Sequence, residues 1–237
     1  MIARRLLSLL LAVGLTAGAF AGAARADSCS LAQMNANACT SYDGGFANLG
    51  ITERQMLAYF DSGRYERDVA SVDGRLDAYV TKRLHDRIKK PAVVFDIDDT
   101  SLSGYPYEKA HDFGFDEKSY EATEATGFPA IMPTLRLAQH LRAQGVAVFF
   151  ITGRRTPLRA ITIANLTKVG YPVPTGLYLR PVGDRAKSVI PFKSSTRAKI
   201  AAMGYTVLAS VGDQWSDLRG GSAEQLFKLP NPMYFLP

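Results

Sequence analysis

Three carboxylates directly follow an apolar run in the segment VVFDIDDT, residues 93–100. The β-branched and aromatic residues of this run favour a buried strand, and Asp96, Asp98 and Asp99 lie at its end. Side chains alternate along an extended chain, so Asp96 and Asp98 are expected to face the same side. Two carboxylates about 4 Å apart repel by about 4 kcal/mol at an effective dielectric of about 20, unless a proton or cation lies between them. The spacing predicts a hard-cation site, and an acidic strand end that turns the chain is the alternative.

Two further apolar runs end in groups that suit the same chemistry. VAVFFITGRR ends with Thr152, Gly153 and two arginines, and a hydroxyl and an amide at such a position are typical of a turn that binds phosphate oxygens. VLASVGDQWSD leads into Asp213 and Asp217, which share one face if a helical turn begins there. We interpret these two acids as the rest of a metal site. A helix N-cap at Thr152 and two surface acids are the alternatives.

A lysine in the segment IPFKSSTR supplies positive charge between these runs. The ammonium of Lys193 can screen a carboxylate nucleophile and bind phosphate as a point charge. A solvated lysine is the alternative, and Lys187 is the fallback because the residues from Gly176 to Lys193 have no distinctive pattern. The order of the four segments, each at or beside the end of an apolar run, indicates one shared site.

The elements that must position these residues alternate between strands and helices. From Pro133 onward the apolar pattern switches repeatedly between the two periods. The predicted elements are a helix from Leu135 to about Gly145, a strand ending at Thr152, a helix over 161–169, a strand over 177–179, a helix over 195–203 and a strand over 207–211. This alternation predicts an α/β fold with a Rossmann-like parallel sheet, and with ligands at the carboxyl ends of its strands.

The segment before the sheet is predicted to be helical. Thr52 and Gln55 form a possible capping box, and Gly63 can end the first helix. A single apolar stripe from Tyr65 to Ile88 predicts a longer second helix. We interpret this stripe as core packing against the sheet rather than as a surface for a partner.

Residues 105–132 are predicted to form a small cap-like insertion. Six aromatic residues lie among acids in this segment, and such side chains near a strand-end site can wall a pocket and exclude water. The alternative is that they form the core of the cap. Tyr105 and Tyr107 are expected nearest the site because they are closest in sequence to Asp99. The three histidines show no ligand spacing and are expected to pack or face solvent, and His111 is the one that lies in the predicted pocket segment.

The four motifs FDIDDT, FFITGR, FKSSTR and GDQWSDL together resemble the haloacid dehalogenase (HAD) superfamily. Within it, they resemble the secreted acid phosphatases of subfamily IIIB, a branch that includes plant acid phosphatases and vegetative storage proteins. The resemblance covers roughly residues 91–230, and Asp99 stands where many relatives carry Glu. The roles it implies are nucleophile for Asp96, general acid and base for Asp98, phosphate binding for Thr152, Gly153 and Lys193, and Mg²⁺ binding for Asp96, Asp98, Asp213 and Asp217.

The implied reaction is Mg²⁺-dependent hydrolysis of a small phosphomonoester. A carboxylate such as Asp96 can attack phosphorus and form an aspartyl-phosphate, while Asp98 exchanges protons with the leaving group and water. An inactive storage or binding relative is the first alternative, and the presence of both acids argues against it. A metal-dependent nuclease of the DEDD type is the second, but GDQWSD lacks the His or Tyr that such an enzyme needs four residues before an aspartate.

The amino terminus has the pattern of a signal peptide. Arg4 and Arg5 precede an apolar run over 6–20, and Ala24 and Ala26 are the small alternate residues that signal peptidase favours. We expect cleavage after Ala26 and a soluble periplasmic or secreted protein without a membrane anchor.

The chain has two cysteines, Cys29 and Cys39, just after this cleavage point. An oxidising compartment favours a disulfide between them. Two free thiols, or metal ligation, are the alternatives, although no nearby histidine supports the latter.

The formal charge is +6, and cleavage after Ala26 would remove three basic residues and no acidic ones to leave +3. No basic stripe is present, so nucleic-acid binding is not expected. The predicted division is a signal peptide over 1–26, an N-terminal arm and helices over 27–90, and a HAD-like phosphatase core over 91–237.

Overall fold

The computed structural model describes residues 42–43 and 46–236, with side chains from Asn48 onward. Two short strands, β1 (Tyr42–Asp43) and β2 (Phe46–Ala47), pair in an antiparallel hairpin that belongs to a first unit ending at Asn48. The second unit begins at Leu49 and contains the sheet and the candidate site.

Several sequence predictions fall outside the described residues. These are the signal peptide over 1–26 and the disulfide between Cys29 and Cys39, and both stay predictions. Within the part of the chain that the structure describes, no helix combines the length and the apolar character needed to cross a membrane.

A five-stranded parallel sheet forms the centre of the second unit. Its strands are β3 (Pro91–Phe95), β4 (Ala147–Arg155), β5 (Gly176–Arg180), β6 (Thr206–Gly212) and β7 (Gln225–Lys228). Their order across the sheet is β5-β4-β3-β6-β7, so β3 lies in the middle. The order reverses beside β3, which makes the carboxyl ends of β3, β4 and β6 the expected ligand position in such a sheet.

Helices cover both faces of this sheet. They are α1 (Leu49–Asp61), α2 (Arg64–Leu84), α3 (Tyr105–Ala110), α4 (Glu117–Thr126), α5 (Met132–Ala143), α6 (Arg159–Lys168), α7 (Ile190–Ala202) and α8 (Trp215–Leu218), with a 3-10 turn at Thr156–Leu158. Val93 and Phe95 face the larger core, which α2, α5 and α6 complete. Ala92 and Val94 face the opposite core together with Ile200 of α7. Both faces of β3 are therefore buried, which explains its uninterrupted apolar sequence.

The α/β fold with a parallel sheet and a helical segment before it is as predicted, but several element boundaries differ. α1 begins at Leu49, before the proposed capping box at Thr52. α2 ends at Leu84 rather than near Ile88. α7 begins at Ile190 instead of Ser195, because Pro191 occupies its first turn, where a missing N–H costs nothing. This earlier start places Lys193 inside the helix.

The segment over 105–132 folds as two short helices, α3 and α4, followed by the start of α5. Tyr105 stacks on Phe60 and donates a hydrogen bond to Asp61, while Tyr107 is buried and donates to the carbonyl of Asp116. Neither tyrosine lines the cavity described below, so the expectation that they lie nearest the site is wrong. The expectation was based on the closeness of these tyrosines to Asp99 in the sequence, and it did not include the turn that the chain makes at residues 97–104.

Candidate active site

The candidate site is built on the residue that follows β3. The backbone N–H of Asp96 donates to the carbonyl of Val211 at 3.0 Å, so the ladder between β3 and β6 continues to this residue. Ser101 in turn donates a hydrogen bond to the carbonyl of Asp96 at 2.7 Å. Both partners fix the main chain at Asp96, so its carboxylate has a defined direction.

Three buried carboxylates meet at this position. Asp96, Asp213 and Asp217 each offer an oxygen within 4.8 Å of the others. The ammonium of Lys193, itself only 3% exposed, contacts Oδ1 of Asp96 and lies 2.6 Å from Oδ1 of Asp217. Three carboxylates and one ammonium carry a formal charge of −2, so this cluster suits a further cation.

Burial and neighbouring charge together raise the pKa values of Asp96, Asp213 and Lys193. Burial raises the pKa of Asp96 well above its usual value, and Asp217 adds to that rise, while Lys193 opposes it. Burial and Asp217 likewise raise the pKa of Asp213 to about 6. Burial alone would lower the pKa of Lys193, but Asp217 and Asp96 outweigh it and hold the pKa above the usual value. The lysine therefore remains charged, and the carboxylates repel one another.

Asp98 is held by an arginine at the edge of this cluster. Nε of Arg154 lies 3.0 and 3.1 Å from the two oxygens of Asp98, and its Nη2 lies 2.5 Å from Oδ1. Arg154 also lies 3.4 Å from Glu124 of α4 and over the ring of Phe128. The carboxylate of Asp98 is thus not one of the three that converge, and its role as a metal ligand stays a prediction.

Asp99 is not one of the three converging acids. It has a positive φ of 53°, which turns the chain after the strand. Its carboxylate accepts hydrogen bonds from the backbone N–H of Gly104 at 2.8 Å and from the hydroxyl of Tyr234 at 2.7 Å. Asp99 therefore shapes the loop rather than joining the three acids.

The predicted phosphate binders lie at different depths. Gly153 lines the cavity, whereas Thr152 is fully buried and its hydroxyl accepts the backbone N–H of Arg154 at 3.1 Å. Lys187, the fallback for Lys193, also lines the cavity.

A cavity of about 350 Å³ opens onto the cluster. Its lining comes from the strand ends, the cap helix α4 and the C-terminal residues, and consists of Asp96, Asp98, Tyr120, Glu124, Gly153, Arg154, Arg180, Lys187, Val189, Lys193, Asp213, Gln214, Ser216, Asp217, Tyr234 and Leu236. Most of these residues are polar or charged, while Tyr120, Tyr234 and Leu236 supply ring and aliphatic surface. The volume is within the range of small-molecule sites.

Two residues that the sequence analysis did not single out fix Asp217. Arg197, one turn after Lys193 on α7, is fully buried and donates to the carbonyls of Asp217 at 2.6 Å, Leu218 at 3.2 Å and Gly221 at 2.9 Å. Gly212 leaves room for Asp217, since a Cβ there would lie 2.4 Å from the Cβ of Asp217. Both act on the position of the acid rather than on its chemistry.

The structure thus brings together Asp96, Asp213, Asp217 and Lys193 as the sequence predicted, with Asp98 and Gly153 on the same cavity. Sequence reasoning missed Glu124, the pairing of Arg154 with Asp98, and the C-terminal residues Asn231 and Tyr234. The one available signal was Arg154, which lies in the FFITGR motif. Glu124 and Asn231 lie in segments whose sequences resemble ordinary loops or exposed helices.

A parallel α/β sheet whose strand ends gather three carboxylates and a buried lysine over a small polar cavity defines a phosphatase with a HAD-type fold. The family described as "HAD superfamily, subfamily IIIB (Acid phosphatase)" matches residues 22–237, and the chain belongs to this family.

Several plant proteins are similar in sequence to this chain. The chain is 35% identical over 185 residues to the Stem 28 kDa glycoprotein of Glycine max, covering 75% of this chain and 72% of that protein. It is 37% identical over 148 residues to Acid phosphatase 1 of Solanum lycopersicum, covering 60% and 58%. It is 34% identical over 151 residues to Vegetative storage protein 1 of Arabidopsis thaliana, covering 61% and 55%. The matched part is thus less than two thirds of the length of the latter two proteins.

Among solved structures, the Class C acid phosphatase from Bacillus anthracis superposes with a TM-score of 0.65 at 21% identity, covering 78% of this chain and 86% of that chain. At this identity the likeness concerns the fold alone.

Proposed function

We propose that the protein is a Mg²⁺-dependent phosphomonoester hydrolase that acts through an aspartyl-phosphate on Asp96. Family membership supports phosphatase activity as the general class. The observation that carries the finer proposal is the convergence of Asp96, Asp213, Asp217 and the ammonium of Lys193 at one buried point. A nucleophilic carboxylate, a lysine and further acids are the groups that phosphoryl transfer to a carboxylate requires.

The residues present fit a divalent cation. Asp96, Asp213 and Asp217 are hard oxygen ligands within 4.8 Å of one another, and their excess negative charge over Lys193 matches a divalent ion. These three residues would hold the ion. When bound, it would neutralise charge on the phosphoryl group that is transferred.

The proposed first step is attack by a carboxylate oxygen of Asp96 on phosphorus. The bond from phosphorus to the leaving oxygen breaks, and Asp98 donates a proton to that oxygen. Lys193 balances the negative charge beside the nucleophile, while Thr152 and Gly153 bind phosphate oxygens. Arg154 holds the carboxyl of Asp98 in place.

In the second step, Asp98 accepts a proton from a water molecule that attacks the phosphorus of the aspartyl-phosphate. The bond between phosphorus and Asp96 breaks, which releases inorganic phosphate and regenerates the carboxylate. Splitting hydrolysis in this way replaces one difficult displacement with two easier ones.

The proposed substrate class is a small phosphomonoester. A cavity of about 350 Å³ accommodates a phosphate group and a leaving group of modest size. Tyr120 and Leu236 on its wall favour a leaving group with some apolar surface, and the cavity does not specify it further. We also propose that the protein acts in the periplasm or outside the cell, on the basis of the signal-peptide pattern over 1–26.

A storage role is the second candidate, because Vegetative storage protein 1 of Arabidopsis thaliana is 34% identical to this chain. Such a protein would have no use for a buried nucleophile and a matched acid. The presence of Asp96 and Asp98, both on the cavity wall, therefore favours the hydrolase.

Hydrolysis of p-nitrophenyl phosphate by the purified protein, with MgCl₂ and with EDTA, tests the proposal. We expect turnover with MgCl₂ and its loss with EDTA. A folded protein that is inactive on this and on a panel of other phosphomonoesters would contradict the proposal and favour storage. Hydrolysis of an oligonucleotide in preference to a free nucleotide would favour a nuclease instead.

A further inference from the structure

Residues 230–236, here named the C-terminal strap, cross the candidate site after the last strand. Two of its side chains, those of Asn231 and Tyr234, reach two different acids of the first and last motifs. We propose that Asn231 is a positioning residue for the metal site, and that the C-terminal strap orients the carboxylate of Asp213 towards the cation. This inference rests on the metal site of the proposed function.

Asp213 receives hydrogen bonds that leave one direction open. Its Oδ2 accepts from Nδ2 of Asn231 at 2.7 Å and from Nε2 of Gln214 at 2.8 Å. Its Oδ1 accepts from the hydroxyl of Thr100 at 2.9 Å. A carboxylate oxygen has two lone pairs, so Oδ2 is saturated and Oδ1 retains one. Asp213 is therefore arranged to bind a cation through a single oxygen.

The amide of Asn231 cannot turn freely. Its Oδ1 accepts the backbone N–H of Met233 at 2.8 Å, which directs Nδ2 towards Asp213. This turn is local to the strap and depends only on residues 231–233. The direction of the donor is thus built into the fold of the strap.

The strap also fixes the second donor to Asp213. The side chain of Gln214 accepts the backbone N–H of Leu236 at 3.1 Å and donates to the carbonyl of Tyr234 at 3.3 Å. Both hydrogen bonds on Oδ2 of Asp213 therefore depend on main-chain groups of the strap. Partners of this kind around metal ligands hold the ligand in its binding orientation.

The hydroxyl of Tyr234 ties the same strap to the first motif. It donates to Oδ2 of Asp99 at 2.7 Å, and Asp99 also accepts the N–H of Gly104 at 2.8 Å. The strap thus joins the loop after β3 to the loop after β6. A strap that only shielded the site from solvent would not need hydrogen bonds to both Asp99 and Asp213.

Calorimetric titration of the purified protein with MgCl₂ alone tests the inference. We expect Asn231→Ala to raise the Kd for Mg²⁺ by about 10- to 100-fold, the usual cost of losing a group that supports a metal ligand. Gln214→Met, which keeps the chain length and removes the amide, is expected to raise the Kd in the same direction. Phe235→Ala is the matched control, because the ring is 70% exposed and lies between two strap residues that make these contacts. It is expected to bind Mg²⁺ like the wild type.

An unchanged Kd in a folded Asn231→Ala protein would overturn the inference, whatever its thermal stability. A purely structural strap would lower the unfolding temperature without metal and leave the Kd unchanged. If Asn231→Ala does not fold, an unchanged Kd in Gln214→Met overturns the inference. If the wild type is active and Mg²⁺-dependent and the variants keep its Kd for Mg²⁺, the inference is wrong and the proposed function is not affected. If the wild type binds Mg²⁺ but hydrolyses no phosphomonoester, the proposed function is wrong and the inference is not affected.

Discussion

Asp98 differs from Asp96 and Asp217 in its partner. Asp96 and Asp217 share the ammonium of Lys193, while Asp98 is bound through both oxygens by the planar guanidinium of Arg154. A guanidinium fixes the plane of a carboxylate, which an ammonium does not. In the proposed mechanism Asp98 is thus the acid that transfers protons, while Asp96, Asp213 and Asp217 surround the proposed cation.

This difference predicts the effect of Arg154→Gln. The change removes the hydrogen bonds that fix Asp98 and leaves the buried Glu124 without its cation. General acid–base catalysis contributes roughly 10²- to 10⁴-fold to the rate, so we expect kcat to fall, but by less than this factor. Steady-state kinetics on p-nitrophenyl phosphate measures it. Arg155→Gln is the control, since Arg155 binds the carbonyls of Pro181 and Asp184 instead. Equal losses in both variants would contradict the assignment.

At the scale of elements, α7 carries two buried cations one turn apart. Lys193 faces the acids, and Arg197 binds the backbone carbonyls of the turn that holds Asp217. Any shift of α7 would therefore move both the lysine and the acid. This coupling gives a reason why two basic side chains of α7 are buried.

We expect Arg197→Met to lower both stability and activity. The methionine preserves apolar packing but leaves several buried carbonyls without donors, at a cost of about 2–5 kcal/mol in the free energy of unfolding. Urea unfolding and kcat are measured on the same preparation. Arg136→Met on the surface-facing side of α5 is the control. A variant with wild-type stability and kcat would show that the carbonyls of residues 217–221 do not need this arginine.

The interface between α2 and α5 contains a buried acid with an unusual environment. Asp73 is 4% exposed, accepts a hydrogen bond from Thr134 at 3.0 Å, and its Oδ1 has no partner among the described residues. Burial raises the pKa of Asp73 from 3.8 to about 7. The acid is therefore protonated in the folded protein at acidic pH.

This shift predicts that the contribution of Asp73 to the stability of the fold is largest at acidic pH. Stability from Asp73 is fully present below its unfolded pKa and is lost as pH rises through the folded value near 7. The loss is at most about 4 kcal/mol, since each pKa unit corresponds to about 1.4 kcal/mol. Urea unfolding between pH 4 and pH 8 is expected to show a shallower decline in Asp73→Asn than in the wild type. Glu66→Gln, on the exposed face of α2, should keep the wild-type slope, and an unchanged slope in Asp73→Asn would contradict the account.

At the scale of the whole molecule, the site joins residues far apart in sequence. Strands β3, β4 and β6 could be predicted because each apolar run ends in a polar motif, and motif order placed Asp96, Lys193, Asp213 and Asp217 together. The edge strand β7 was not predicted, because no such motif follows it. The strap could not, because Tyr234 meets Asp99 across 135 positions with no local pattern to signal it. Long-range hydrogen bonds of single side chains leave no periodicity in a sequence. Glu124 was missed for the same reason, since the sequence of its helix is typical of an exposed helix.

Charge repulsion in the cluster predicts that metal stabilises the whole fold. A ligand that binds only the folded state adds about 2.7 kcal/mol at about 100 times its Kd, or roughly 5–10 °C in Tm for a protein of this size. Thermal unfolding in MgCl₂ and in EDTA measures the shift. Asp217→Asn, which removes one ligand, is expected to reduce the shift. Identical melting of the wild type in both solutions would contradict a metal site.

The central claim is that Asp96 carries the phosphoryl group during turnover. The most direct measurement is acid quenching of the protein during hydrolysis of p-nitrophenyl phosphate, followed by mass spectrometry of its peptides. We predict one added phosphoryl group on the peptide that contains Asp96, and none in Asp96→Asn, while the exposed-site control Asp112→Asn retains it. Phosphate on a different residue, or full turnover by Asp96→Asn, would contradict the account.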